Sequence, residues 1–124
     1  MSHLDTADRH ALHLQLDQMK RQVIAELRAS APSAQAALDE SAHEVTTHAD
    51  EAEAQRAGEV QLAEVEVDRT RLHDIERALA RLTEGRYGLC EDCGSEIPRA
   101  RLMAQPTAIR CLACQSAAEA RRAQ

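Results

Sequence analysis

Residues 85–115 decide the fold of this chain, and their sequence is GRYGLCEDCGSEIPRARLMAQPTAIRCLACQ. This segment holds all four cysteines of the 124-residue protein, as two Cys-x2-Cys pairs separated by seventeen residues: Cys90, Cys93, Cys111 and Cys114. Two residues between cysteines let one tight turn direct both sulfur atoms at a single ion, and two such turns supply a closed tetrahedral zinc site. The spacing therefore predicts one structural zinc ion per chain, held by these four thiolates.

Two disulfides are the main alternative use of four cysteines, and they would suit a small secreted domain. The N-terminal residues MSHLD lack the basic and apolar regions of a signal peptide. No apolar run approaches the roughly twenty residues of a membrane span. We therefore expect a cytoplasmic protein with reduced thiols, which favours zinc over disulfides or a redox pair. A catalytic zinc is disfavoured because such sites keep a position for water and include His or carboxylate ligands.

The composition favours long helices over a thick globular core. Tyr87 is the sole aromatic residue, and hydrophobic residues make up 44% of the chain. Apolar residues nevertheless recur at helical spacing and form two stripes, at Leu12, Leu16, Met19, Val23 and Leu27, and at Val65, Leu72, Ile75, Leu79 and Leu82. The second stripe contains heptad spacings typical of a coiled coil. The two stripes are expected to pack against each other.

These patterns predict a mainly α fold, an antiparallel helical hairpin with coiled-coil character joined to a small four-cysteine zinc-finger globule with a short C-terminal helix. Pro32 should end or kink the first helix, because proline lacks the amide proton and clashes with the preceding turn. A second helix is expected over about residues 49–84, with Gly85 as its C-terminal cap. The expected domains are residues 1–84, with an acidic tip near 33–53, and residues 85–124.

The charge distribution argues against nucleic-acid binding. Residues 1–84 contain seventeen acidic and nine basic residues, and no Lys or Arg occurs from Gln35 to Gln55. Duplex binding normally requires a cluster of basic residues, and single-strand binding normally adds aromatic side chains that stack on bases. Because both features are missing, sequence-specific DNA binding is not expected.

The cysteine-containing segment resembles the DksA/TraR family of bacterial RNA polymerase-binding proteins. The matching residues are Gly85–Gly94, Glu96–Pro98, Ala100–Leu102, Pro106–Ala108 and Cys111–Cys114. The resemblance implies a long antiparallel coiled coil joined to a four-cysteine zinc globule and a C-terminal helix. It also implies a protein that binds RNA polymerase, inserts its coiled-coil tip into the secondary channel and alters initiation without specific DNA contacts.

The same resemblance identifies candidate residues at the tip. Strong regulators of this family carry Asp-x-x-Asp-x-Ala there, and counting back from Cys90 without a gap places residues 47–52 on this motif. Asp50 and Ala52 match it, whereas Thr47 replaces the first aspartate. The alternative is that Asp50 is only a solvated acid at a helix start, where negative charge is favourable.

Some members of the family also bind guanosine tetraphosphate through basic residues on the second helix and the zinc globule. In the ungapped register those positions are Asp74, Gln105 and Gln115. None of them is cationic, whereas phosphate binding favours Arg or Lys. A response to this nucleotide is therefore not expected.

No catalytic constellation is apparent, and we expect that the chain is not an enzyme. His10 and His13 could share a helix face, but no acid or cysteine lies nearby at ligand spacing. Two alternatives to a transcription modulator remain open. A zinc-ribbon nucleic-acid binder would use Arg99, Arg101 and Arg110, and a zinc-dependent protein adaptor would use the coiled coil without regulating transcription.

Overall fold

The computed structural model describes residues 3–43 and 48–123, and the side chains of residues 31–51 lie outside the described part. The described residues form four helices, α1 (Thr6–His43), α2 (His48–Glu84), α3 (Arg99–Ala104) and α4 (Leu112–Arg122). The mainly α prediction is confirmed, with two long helices of a hairpin, a four-cysteine finger and a short C-terminal helix. None of the described helices is long and apolar enough to cross a membrane.

The sequence predicts that Pro32 either ends or kinks the first helix. The helix does not end there. Helix α1 is a single element of 38 residues that includes this proline. A proline inside a helix removes one backbone hydrogen bond and costs about 3 kcal/mol. The neighbours of Pro32 include Ala31, Ala34, Ala36 and Ala37, and alanine is the strongest helix former. Favourable residues on both sides explain why the helix continues past the proline.

Contacts divide the chain into two compact units, Met1–Lys20 with Asp74–Gln124, and Arg21–His73. In the second unit the two helices run antiparallel. The Gln61 side chain donates to the Ser30 carbonyl at 3.4 Å, and Arg71 lies 4.0 Å from Glu26. The partner on α1 thus moves back along the chain as the residue on α2 advances. The expected boundary between residues 84 and 85 stays a prediction.

The core of the first unit is small and apolar. Its fully buried large side chains are Leu12 and Leu16 of α1, Ile75 of α2, and Ile97 and Leu102 of the finger. Leu12, Leu16 and Ile75 belong to the stripes that the sequence predicts. Burying one such side chain stabilises a fold by about 1.5–3 kcal/mol. Five such side chains cannot stabilise a unit of this size alone. Side-chain hydrogen bonds to the backbone and a bound metal are therefore needed to stabilise it.

Helix α2 ends in a Schellman motif, as the position of Gly85 predicts. Gly85 has φ +76°. The Arg86 amide donates to the Arg81 carbonyl at 2.9 Å, and the Gly85 amide donates to the Leu82 carbonyl at 3.3 Å. These two bonds satisfy carbonyls that a helix end leaves without partners. The chain therefore leaves α2 in a fixed direction, toward the first cysteine pair.

The buried side chain of Arg81 extends this connection. It is only 8% exposed, and its guanidinium donates to the carbonyls of Arg86 at 3.2 Å and Leu89 at 2.5 Å. Hydrogen bonds from a charged donor are roughly twice as strong as neutral ones. The last turn of α2 thus holds the backbone that leads into Cys90.

The N-terminal residues pack on the finger at Gly88. His3 Nε2 donates to the Ile97 carbonyl at 2.6 Å, and Leu4 is 3% exposed. A Cβ atom built on Gly88 would lie 3.0 Å from Leu4 Cδ1 and 3.2 Å from His3 Cε1, and the φ of Gly88 is +88°. Only glycine combines this backbone conformation with so close an approach.

We predict that Gly88→Ala destabilises the protein more than Gly85→Ala. Both glycines have positive φ, so each substitution carries the backbone strain of about 1–2 kcal/mol. A Cβ at Gly85 meets nothing within 4 Å, so this variant is a matched control for strain alone. Thermal unfolding of the zinc-loaded protein, followed by circular dichroism, measures both. Equal losses would contradict the close packing of His3 and Leu4 on the finger.

Candidate metal centre

The first cysteine pair lies in a turn that backbone hydrogen bonds close. An isolated antiparallel bridge between Leu89 and Glu96 holds the two ends of the turn together. The Cys90 amide donates to the Ser95 carbonyl at 2.7 Å, and the Gly94 amide donates to the Cys90 carbonyl at 3.0 Å. Gly94 has φ +76°, which the sequence explains because glycine adopts this conformation without strain. We call residues 90–93 the first knuckle.

The second cysteine pair lies at the start of α4. Cys111 is the N-cap residue with an extended backbone, φ −68° and ψ 166°, and its carbonyl accepts from the Gln115 amide at 2.9 Å. Cys114 follows in the first turn. The Glu91 amide donates to the Ile109 carbonyl at 2.7 Å. This bond joins the first knuckle to the segment that leads into the second cysteine pair.

Tyr87 supports the segment between the two pairs. Its hydroxyl donates to the Pro106 carbonyl at 2.7 Å, and the side chain is 5% exposed. Burial raises the pKa of Tyr87 to about 12. The phenol therefore stays neutral and keeps its proton for this hydrogen bond at physiological pH.

The structure brings the four cysteines together at distances that fit zinc. Their sulfur atoms all lie within 4.8 Å of one another, and the Sγ atoms of Cys93 and Cys111 are 3.9 Å apart. A tetrahedral site with Zn–S bonds of about 2.3 Å requires sulfurs about 3.8 Å apart. Among the residues whose side chains the structure describes, no other three His, Cys, Asp or Glu side chains lie close enough to hold a metal.

The pKa values of Cys90 and Cys114 shift in opposite directions. Burial opposes ionisation of Cys90, but hydrogen bonds from the backbone at Cys111, Cys93 and Asp92 outweigh it and lower the pKa of Cys90 to about 6. Hydrogen bonding with the Cys111 and Cys90 side chains and burial raise the pKa of Cys114 to about 12. Ionisation of one thiol therefore opposes ionisation of its neighbours, because like charges at this distance repel one another. A divalent ion reduces this conflict because its positive charge offsets part of the negative charge of the four sulfurs and attracts each of them.

The predicted tip residues fall partly outside the described residues. Thr47 lies outside them, and so does the side chain of Asp50. Asp50 and Ala52 occupy the first turns of α2, which begins at His48, and Ala52 is exposed. The roles expected for these three residues stay predictions.

The structure places Asp74, Gln105 and Gln115 around one cavity of about 160 Å³. Four arginines that the sequence reasoning did not connect with it also line this cavity: Arg77, Arg101, Arg110 and Arg122. They come from α2, α3, the segment before Cys111 and the end of α4, so no local pattern could have grouped them. The expectation of no response to guanosine tetraphosphate stays a prediction.

Comparison with known proteins identifies the finger. Residues 85–120 match the family model for the prokaryotic DksA/TraR C4-type zinc finger. The chain is 40% identical over 57 residues to the RNA polymerase-binding transcription factor DksA of Escherichia coli K12, which is 46% of this chain and 38% of that protein. It is 49% identical over 43 residues to general stress protein 16O of Bacillus subtilis, 35% of this chain and 26% of that protein. These matches thus span well under half the length of the curated relatives.

Solved structures match over nearly the whole chain. Transcription factor DksA2 from Pseudomonas aeruginosa has a TM-score of 0.80 and 24% identity, and the match covers 98% of this chain and 91% of that one. The RNA polymerase-binding protein and transcriptional regulator Dks from Chlamydia trachomatis has a TM-score of 0.56 and 25% identity, with 94% and 92% covered. The fold is therefore that of DksA proteins. The C4-type match and the cysteine cluster together confirm the prediction of one structural zinc ion.

We predict that the purified protein binds one zinc ion, and that a strong chelator unfolds residues 85–115 while most of α1 and α2 persists. Structural zinc contributes on the order of 10–16 kcal/mol of apparent binding free energy in small peptides, whereas the helices have their own apolar contacts. Metal analysis with hydrogen exchange measures both parts. Lowering the pH should weaken zinc binding, because protons compete for thiolates. Two disulfides by mass, or a finger that stays protected without metal, would contradict the prediction.

Proposed function

We propose that this chain, which belongs to the DksA/TraR family of C4-type zinc-finger proteins, binds RNA polymerase and modulates transcription. The observation that carries the proposal is the 40% identity over 57 residues with an RNA polymerase-binding transcription factor. The fold supports it, because the likeness to DksA2 covers 98% of the chain and includes the hairpin as well as the finger. The proposal assigns the chain no catalytic activity, and it places the protein in the cytoplasm with the polymerase.

In the finer proposal, residues 1–84 form an arm that enters the secondary channel of the polymerase and residues 85–124 form the globule at its base. The four cysteines hold the zinc ion, and Thr47, Asp50 and Ala52 act at the tip. Two observations support this role. Helix α2 begins at His48, so Asp50 belongs to its first turn, where the helix dipole favours a carboxylate. The absence of Lys and Arg from Gln35 to Gln55 gives this region a negative charge.

The arginines of the finger argue against the nucleic-acid alternative. The Arg99 guanidinium lies 2.9 Å from the Asp8 carboxylate, and Arg101 Nε donates to the Arg110 carbonyl at 3.2 Å. Arg110 pairs with acids of the first knuckle. Groups of this chain therefore engage all three arginines that were candidates for phosphate contacts. Fewer free cations mean fewer counterions released from DNA, and thus weaker binding.

We predict that the protein co-purifies with RNA polymerase and binds free DNA only weakly. Polymerase pull-down measures the first property, and shift assays on duplex and single-stranded DNA at several salt concentrations measure the second. Tight DNA binding with a steep salt dependence, together with no association with polymerase, would favour the zinc-ribbon alternative. Association with some other protein and not with polymerase would favour the adaptor.

We also predict that Asp50→Asn abolishes the effect on transcription while polymerase affinity stays largely intact. The substitution removes one charge at nearly constant volume, and a charge near a desolvated channel interacts much more strongly than one in bulk water. Thr47→Asp should strengthen the effect because it restores a second carboxylate. In vitro initiation at a sensitive promoter, with saturating protein, measures all variants.

Glu59→Gln is the matched control for this series, because it removes an exposed acid of α2 outside the tip motif. It should behave as wild type. Equal activity for wild type, Asp50→Asn and Thr47→Asp would mean that the acidic tip only connects the two helices, and would favour the adaptor hypothesis. Guanosine tetraphosphate should change none of these activities much.

A further inference from the structure

One arginine bridges the two halves of the metal site. Arg110 immediately precedes Cys111, and its side chain reaches both acidic residues between Cys90 and Cys93. Its Nε atom lies 2.8 Å from Asp92 Oδ2, and its Nη2 atom lies 3.2 Å from Glu91 Oε2. The Arg110 guanidinium therefore links the first knuckle to the segment that leads into the second cysteine pair.

Both ends of this bridge are themselves fixed. The Arg110 side chain is 20% exposed, and its carbonyl accepts from Arg101. Arg77 of α2 pairs with the other oxygen of Glu91 at 2.5 Å. An ion-pair network therefore runs from α2 through the first knuckle to the segment before Cys111. Networks with fixed geometry contribute more than isolated surface pairs, whose typical contribution is only 0–1 kcal/mol.

We propose that Arg110 is a positioning residue for zinc, acting as a clamp that keeps the two cysteine pairs at the spacing the ion requires. The cysteine pairs lie on separate segments. Three kinds of link join these segments near the metal: the Glu91–Ile109 backbone bond, a hydrogen bond from the Cys111 backbone to the Cys90 side chain, and the two ion pairs of Arg110. Groups that orient metal ligands typically change metal affinity by about 10–100-fold when they are removed. The clamp would therefore slow zinc loss by keeping the two cysteine pairs close to each other.

A purely electrostatic explanation predicts a different result at Asp92. Four thiolates around a divalent cation leave a net negative charge, and Arg110 would stabilise this charge even without touching the knuckle. On that explanation the nearby Asp92 carboxylate destabilises the complex, and its removal slows zinc release. If Arg110 is a clamp, Asp92 is one of its two contacts, and its removal speeds zinc release. Asp92→Ala therefore separates the two explanations by the sign of its effect.

The experiment measures zinc release from the full, zinc-loaded chain into excess chromogenic chelator. We expect Arg110→Gln and Asp92→Ala each to release zinc about tenfold faster than wild type. The double variant should be no faster than Arg110→Gln, because both substitutions break the same contact. Arg86→Gln is the matched control, since Arg86 pairs with Glu84 on the exposed end of α2 and not with the knuckle. It should release zinc at the wild-type rate.

Arg110→Lys provides a second test because it keeps the charge but cannot hold two acids in a planar fork. It should release zinc nearly as fast as Arg110→Gln. Zinc content and helical circular dichroism before chelator addition verify that each variant is folded. Asp92→Ala or Arg110→Lys protein that keeps its helices but is purified with less than one zinc also supports the clamp, provided that Arg86→Gln retains its zinc.

Slower release from Asp92→Ala, wild-type release from Arg110→Gln, or full rescue by Arg110→Lys would overturn the proposal. None of these measurements involves RNA polymerase, so the outcome is independent of the proposed role in transcription.

Discussion

Four sulfur atoms within 4.8 Å of one another repel each other once they ionise, and the finger depends on the cation that reverses this repulsion. The pKa of about 12 for Cys114 expresses the conflict, because this thiol keeps its proton beside neighbours that ionise more easily. The finger has only a small apolar core, since Ile97 and Leu102 are its fully buried large apolar side chains. A metal that contributes on the order of 10 kcal/mol therefore exceeds any single apolar contact there.

Polar ties to the backbone replace aromatic packing where the finger meets the helices of its own compact unit. Arg81 donates to two carbonyls of the segment before Cys90, and His3 donates to the Ile97 carbonyl. Each tie uses a side chain to satisfy a backbone group that no strand or helix pairs. This arrangement suits a chain with one aromatic residue, because a buried polar group without a partner costs about 1–3 kcal/mol.

Features that depend on residues close together in the sequence can be predicted from it, whereas contacts between residues far apart in the sequence cannot. The cysteine pairs, the Gly85 cap and the buried stripe residues Leu12, Leu16 and Ile75 depend on spacings of a few residues, which local patterns reveal. The proline rule predicts that Pro32 ends or kinks α1, but this rule does not take the helix-forming residues around the proline into account, and α1 continues through it. The His3–Ile97 bond joins residues 94 positions apart, and the arginine-lined cavity combines four segments. No periodicity encodes such contacts, so they required the fold.

The use of arginine distinguishes the functional hypotheses more clearly than the count of charges does. From the sequence, Arg99, Arg101 and Arg110 formed a modest basic surface on the finger. In the structure each is engaged by an acid or a carbonyl of the chain itself, and the two acids that pair with Arg110, Glu91 and Asp92, belong to the first knuckle. A guanidinium that leaves such partners for a phosphate gives up existing charge-assisted hydrogen bonds, so its net gain from DNA is small. A protein partner requires no such exchange, because it can bind the helices while the arginines keep their roles in the finger. The internal use of its cations is thus a physical reason to favour polymerase or another protein over nucleic acid.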